Sequence, residues 1–164
     1  MTQNDPERMF GFVLHDVARL LRRRFEQYLR ADAIGLTRTQ CAVLAHLARQ
    51  EGINQATLAQ LLDVEPITLV HLLDRLQDAG FIQRKPDPKD RRAYALELTP
   101  KARPVLTRIY ELADSIYDEA QVGLTAAERT QFLSQLQRVK SNLLRRTLEG
   151  DVGELAPTRR KRRA

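Results

Sequence analysis

The sequence predicts a mainly α fold with a small β wing (α+β), in which a winged helix-turn-helix domain sits beside a helical dimerisation region. Three observations predict it. Residues 54–80 read as two short helices joined by a tight turn. Residues 81–98, FIQRKPDPKDRRAYALEL, then supply two strand-like runs, Phe81–Lys85 and Tyr94–Leu98, around a loop crowded with charge. Long amphipathic helices flank this unit on both sides. Helix, turn, helix and basic hairpin, in that order, is the layout of a winged DNA-binding domain. The expected division is residues 7–35 and 100–147 for the helical dimerisation region and 36–99 for the winged domain. Residues 1–6 and 150–164 read as flexible ends.

The first helix is expected over residues 7–32. Phe10, Leu14, Val17, Leu21, Phe25 and Tyr28 recur at spacings of three and four, giving one apolar stripe. Gly35 breaks the pattern. Thr37 and Gln40 form a capping-box pair that opens a second helix, with Val43, Leu44 and Leu47 inward and Gly52 beyond its end. Asn54 suits the cap of a third helix through Leu62, and Asp63-Val64-Glu65 makes the turn. Pro66 fits the first position of a fourth helix, where its missing N–H costs nothing. That helix runs to about Ala79 and closes on Gly80. In the second strand, Tyr94, Leu96 and Leu98 fall on one face and Ala95 and Glu97 on the other. Thr99-Pro100 marks the start of a fifth helix, with Leu106, Ile109, Ala113, Ile116 and Ala120 as its stripe. Thr125 and Glu128 form a second capping box. It opens a last helix with Phe132, Leu136, Val139 and Leu143 aligned.

Composition narrows the classes. The 164 residues contain no apolar run near the ~18 needed to span a membrane, and the polar start MTQNDPERMF is unlike a signal peptide. One cysteine makes no internal disulfide and no metal cluster, which suits a reducing cytoplasm. The net charge of +6 is mostly a property of the end: without PTRRKRRA, 22 basic residues face 21 acidic ones, a net of +1. Local asymmetry is the better sign, since Arg84–Arg92 holds five basic residues and two acids. The terminal helices carry more apolar stripe than one small winged domain covers. Packing on a second copy is the cheap solution, so a two-fold homodimer is expected.

Residues Asp90 to Thr99, DRRAYALELT, resemble the wing signature of the MarR family, Asp-x-Arg followed by a strand ending in Leu-Thr. The stretch TLAQLLDVEPITLVHLLDRLQDAGFIQRKPDPKDRR is similar to the family's helix-turn-helix and wing, and Leu-Thr-x-x-Gln at 36–40 also fits. The resemblance spans roughly residues 8–147. It implies a homodimeric transcription regulator, most often a repressor. Many members release DNA when a small molecule, often a phenolic or other aromatic acid, binds between the dimer region and the winged domain. Two positions depart from the pattern. His71 stands where the family often has arginine, and Cys41 where it often has a large aromatic.

On this reading the fourth helix enters the major groove with Pro66, Ile67, Thr68, His71 and Arg75. Thr68 can reach a base edge or phosphate, Ile67 a thymine methyl, and His71 makes one bond at best where arginine would make two. Lys89, Arg91 and Arg92 form the wing tip, suited to a narrow minor groove, and Asp90 orients one of the arginines. Thr37, Arg38, Gln55 and Thr57 are expected on phosphates. For a small acid, His15 and Arg19 share a face of the first helix, and Cys41 and His46 come from the second. No metal and no cofactor are expected.

Three rival readings remain. An enzyme would want a Gly-rich phosphate loop, a metal-spaced His/Cys cluster or G-x-S-x-G. None is present, and the histidines at 15, 46 and 71 lie on three different helices. An oxidant-sensing regulator would act through Cys41. An interaction protein would use its basic tail on RNA or another acidic partner.

Overall fold

The structure, a computed structural model, describes residues 6–86 and 94–148. Its elements in chain order are α1 (Pro6–Ala31), α2 (Arg38–Arg49), α3 (Gln55–Leu62), α4 (Pro66–Asp78), β1 (Ile82–Pro86), β2 (Tyr94–Leu98), α5 (Ala102–Ala120) and α6 (Ala126–Leu148). The caps explain most of the boundaries. Thr37 Oγ1 accepts from the Gln40 N–H while the Thr37 N–H donates to Gln40 Oε1, so two orphan donors of α2 are satisfied reciprocally. Asn54 Oδ1 accepts from the Thr57 N–H at 2.9 Å and opens α3. Thr125 and Glu128 repeat the reciprocal pair at the start of α6.

The turn between α3 and α4 fixes the helix-turn-helix. Asp63 takes a left-handed conformation with φ 51°, which a short polar side chain tolerates. The Val64 N–H then returns to the Ala59 carbonyl at 3.1 Å, and the two helices turn through 106°. On the inner side of α4, Leu69, Leu73 and Leu76 are buried. They join Val43, Leu44 and Leu47 of α2, Leu58 of α3, Ile82 of β1, Leu96 of β2 and Ala102, Leu106 and Ile109 of α5 in one core.

The wing base is a two-stranded antiparallel sheet in the register Ile82↔Leu98 to Pro86↔Tyr94. The loop after α2 lies along the other edge of β2, where the Gly52 N–H donates to the Leu96 carbonyl and the Leu96 N–H to Ile53. Strand β1 starts at Ile82, one residue later than its sequence suggests, because the Phe81 N–H closes the end of α4 on the Leu76 carbonyl at 2.9 Å. The expected alternation in β2 also shifts. Tyr94 is exposed at the far end of the ladder, opposite Pro86, while Ala95 is buried along with Leu96. Thr99 does not cap α5 but ties its start to the end of α4, its hydroxyl donating to the Gly80 carbonyl at 2.6 Å. In α5 the buried stripe is Leu106, Ile109, Leu112 and Ile116; Leu112 replaces the expected Ala113, and Ala120 is exposed.

The chain forms two compact units, residues 1–120 and 121–164. The reason is the core itself: Leu29 of α1 and Ala102, Leu106, Ile109 and Leu112 of α5 are buried in the same cluster as the helix-turn-helix. The second unit is described as α6, which exposes Phe132, Leu133, Leu143 and Leu144. Among the described residues no single helix is long and apolar enough to cross a membrane. The expected flexible ends fall outside the described residues, apart from Pro6, the first residue of α1.

Candidate nucleic-acid interface

Helix α4 is two-sided. With three leucines closed inward, Pro66, Ile67, Thr68, His71 and Arg75 are left on the solvent side. Ile67 is 64% exposed, a large apolar side chain held in water near the start of the helix. Arg75 makes no ion pair with Asp74 or Asp78; Asp74 is taken by another residue. Ile67, Thr68, His71 and Arg75 therefore share one exposed face, as a helix entering a groove requires, and Pro66 is exposed as the first residue of the helix.

The other expected contacts are more mixed. Thr37 is exposed, but its hydroxyl oxygen already accepts the cap bond of α2. Arg38 is held by Glu26 of α1 at 3.3 Å, so a phosphate must compete with that carboxylate. Gln55 and Thr57 are half-exposed at the start of α3, where the Thr57 N–H is already held by Asn54 Oδ1. Lys89, Asp90, Arg91 and Arg92 lie outside the described residues. Of the five basic residues counted in the hairpin, two are already paired within the chain. Lys85 bonds Glu97 across the ladder and holds that carboxyl below the usual range. Arg84 Nη2 meets Asp74 Oδ1 at 2.7 Å, and its Nη1 meets Gln77 Oε1 at 2.9 Å.

The four residues expected around a ligand are not brought together. His15 is exposed, and Arg19 pairs with Asp16 of its own helix at 3.1 Å. Cys41 is 1% exposed in the core, where burial pushes its thiol up to about 11. His46 is half-buried on α2. Three hollows instead line the lower half of α1. One of about 180 Å³ is walled by Leu21, Arg22, Phe25, Arg38, Ala113, Ile116 and Tyr117. A second of about 370 Å³ is lined by Glu26, Arg30, Leu36 and Arg38 among others. A third of about 550 Å³ includes Arg23, Arg24, Gln27 and Glu119. In the third, Arg24 donates to Glu119 at 2.9 Å and Tyr28 joins at 3.3 Å, which lowers the Glu119 carboxyl. Sequence reasoning missed Arg22, Phe25 and Tyr117. Only the packing of α1 against α5 brings them together, and no spacing in either helix announces it.

Comparison with known proteins agrees with this arrangement. Residues 36–94 match the MarR family model. Transcriptional regulator HosA of Escherichia coli O111:H- is 30% identical over 125 residues, covering 74% of this chain and 92% of that protein. A crystal structure of MarR superposes with a TM-score of 0.76 at 29% identity, covering 91% of this chain and 98% of the other. A mutant MarR from E. coli complexed with operator DNA superposes with a TM-score of 0.67 at 25% identity, covering 85% of this chain and 99% of the other. These relatives are regulators of transcription and not enzymes.

Proposed function

The chain belongs to the MarR family of transcriptional regulators, and from that premise we propose that it acts as a homodimeric repressor on an inverted-repeat operator in the cytoplasm. The observation that carries this reading is the exposed face of α4, with Ile67, Thr68, His71 and Arg75 standing outside a closed leucine layer. A two-fold pair of such helices about one DNA turn apart, roughly 34–36 Å, reads two half-sites. The exposed Phe10, Phe12, Val13, Val17 and Leu20 of α1 support the dimer. Contiguous apolar area of that kind marks an association surface.

A small aromatic acid is the proposed releasing ligand, and the 180 Å³ hollow supports it. Arg22, Arg38 and Tyr117 offer charge and a hydroxyl on a wall of Leu21, Phe25, Ala113 and Ile116. Its size is below the roughly 300–1,000 Å³ of drug-sized sites, which suits a one-ring acid. Oxidant sensing through Cys41 is disfavoured, because a sensor thiol is exposed and ionised and this one is neither. The basic-tail reading concerns residues outside those described.

The test is enrichment of duplexes from a randomised pool, followed by titration at two salt concentrations. The expected result is an inverted repeat whose affinity falls about 10³–10⁵-fold between about 50 and 200 mM salt, given about 6–10 phosphate contacts. A pool that yields no enriched duplex, or a flat salt response, overturns the reading. Binding that disappears when residues 157–164 are deleted favours the tail instead. Added benzoate or hydroxybenzoate then tests release, with Arg22→Ala expected to weaken release while leaving acid-free DNA binding intact.

A further inference from the structure

Arg84 lies on β1, yet its side chain is directed at the recognition helix. Its Nη2 donates to Asp74 Oδ1 at 2.7 Å and its Nη1 to Gln77 Oε1 at 2.9 Å. The side chain is 19% exposed, so the fork is largely covered rather than offered to a polyanion. Asp74 and Gln77 are three apart on α4 and present their acceptors to one planar guanidinium, a geometry that a lysine cannot reproduce. Asp74 directly precedes Arg75, which belongs to the exposed face of α4. Strand β1 continues through Lys85 and Pro86 into the segment that carries Lys89, Arg91 and Arg92.

We propose that Arg84 is a positioning residue that couples the wing to the recognition helix, so that both engage one duplex at a fixed separation. The proposal rests on the DNA-binding reading above. Further links at the end of α4 include the Phe81 N–H to the Leu76 carbonyl and the Thr99 hydroxyl to the Gly80 carbonyl. Both lie where α4 ends. Arg84 is the side-chain link further out along the strand, where angular play in the wing has the most leverage. It also neutralises Asp74, an acid that would otherwise face phosphate beside Arg75.

Asp74→Ala separates this role from simple electrostatics by sign. Removing an exposed acid beside a DNA-facing helix tightens binding if charge alone matters. If Arg84 positions the wing, the same change weakens binding, because it removes the stronger arm of the clasp. The substitution sits on an exposed helix position where alanine is a good helix former, so the fold is kept and a thermal melt checks it. The duplex used is one enriched by the wild-type protein from a randomised pool. Asp74→Ala and Arg84→Ala are each expected to lower affinity for it by roughly tenfold. Arg91→Ala/Arg92→Ala is expected to weaken the wild-type protein and to cost far less on top of Arg84→Ala, since a wing already adrift has little left to lose. Tighter binding by Asp74→Ala, or full additivity of the Arg84 and wing-tip changes, overturns the inference while leaving DNA binding intact. Failure of the wild-type protein to enrich any duplex overturns the DNA-binding reading itself, and the inference with it.

Discussion

Helices α4 and α1 are both amphipathic, and their apolar stripes meet different fates. In α4 the stripe is closed by the chain itself: Leu69, Leu73 and Leu76 are 1%, 0% and 0% exposed. In α1 only the second half is covered, with Leu29 buried and Leu21, Phe25 and Tyr28 half-buried, while Phe10, Val13, Val17 and Leu20 stand open. The difference locates the limit of what one copy can bury. Helix α4 is anchored on a complete core, so its outer face carries no packing duty. Helix α1 leaves an apolar strip exposed among the described residues of its unit, the strip proposed above to meet a second copy.

The strongest way to break this comparison is to open the closed side. Leu73→Ala removes a fully enclosed side chain from the layer under the recognition face. It is expected to cost about 2–5 kcal/mol, a large share of the roughly 5–15 kcal/mol that holds a domain of this size. Urea denaturation measures it. A loss well under 1 kcal/mol, as at a typical surface site, would mean that the leucine layer is not the anchor described here.

The same experiment on the open side should behave in the opposite way. Val17→Asp places a charge on the exposed strip of α1, at a side chain outside the buried core. The melting temperature of the winged core is expected to change little. The dimer dissociation constant, read by sedimentation, should rise by about tenfold or more, since a carboxylate in an apolar contact must be desolvated. An unchanged sedimentation profile would show that this strip is not the surface on which copies meet.

The contrast also explains what the sequence could and could not convey. Caps were legible because they are local: Thr37 with Gln40, Asn54 with Thr57 and Thr125 with Glu128 lie three residues apart and need no tertiary context. The exposed face of α4 was legible because helical periodicity sorts Ile67, Thr68, His71 and Arg75 away from the leucines. The clasp from Arg84 to Asp74 was not, since only the packing of a strand on a helix joins residues ten apart. The same holds for Arg38 and Glu26, and for the hollow that collects Arg22, Phe25 and Tyr117. The start of β1 was missed by one residue because a backbone bond at the end of α4 claimed Phe81, and no side-chain pattern records that bond.

A smaller effect sharpens the boundary between the open and closed halves of α1. Glu26 lies within the covered half, on its exposed side, and holds Arg38 at 3.3 Å. Both partners are substantially exposed, so the pair contributes little to stability. Its consequence is for binding: a phosphate reaching Arg38 competes with Glu26. Glu26→Gln is therefore expected to raise DNA affinity about threefold, with the gain shrinking in high salt. A loss of affinity would instead assign Glu26 the task of aiming Arg38.

The smallest effect is expected at Cys41, the thiol on the closed side. Burial holds its proton to about 11, against an ordinary value of 9.0, because the thiolate would have to form in the apolar core. The folded state thus keeps a proton that the unfolded chain releases earlier. The stabilisation from this group is complete below pH 9 and is lost as pH rises from about 9 towards 11. Near neutral pH the Cys41 thiol stays protonated and buried, so labelling by a disulfide reagent should be slow in the native protein and fast once it is unfolded. Cys41→Ala should leave DNA release by peroxide within about twofold of wild type. Rapid native-state labelling would mean that the core opens at α2 on the timescale of the assay, and the closed side would then be less closed than its leucines suggest.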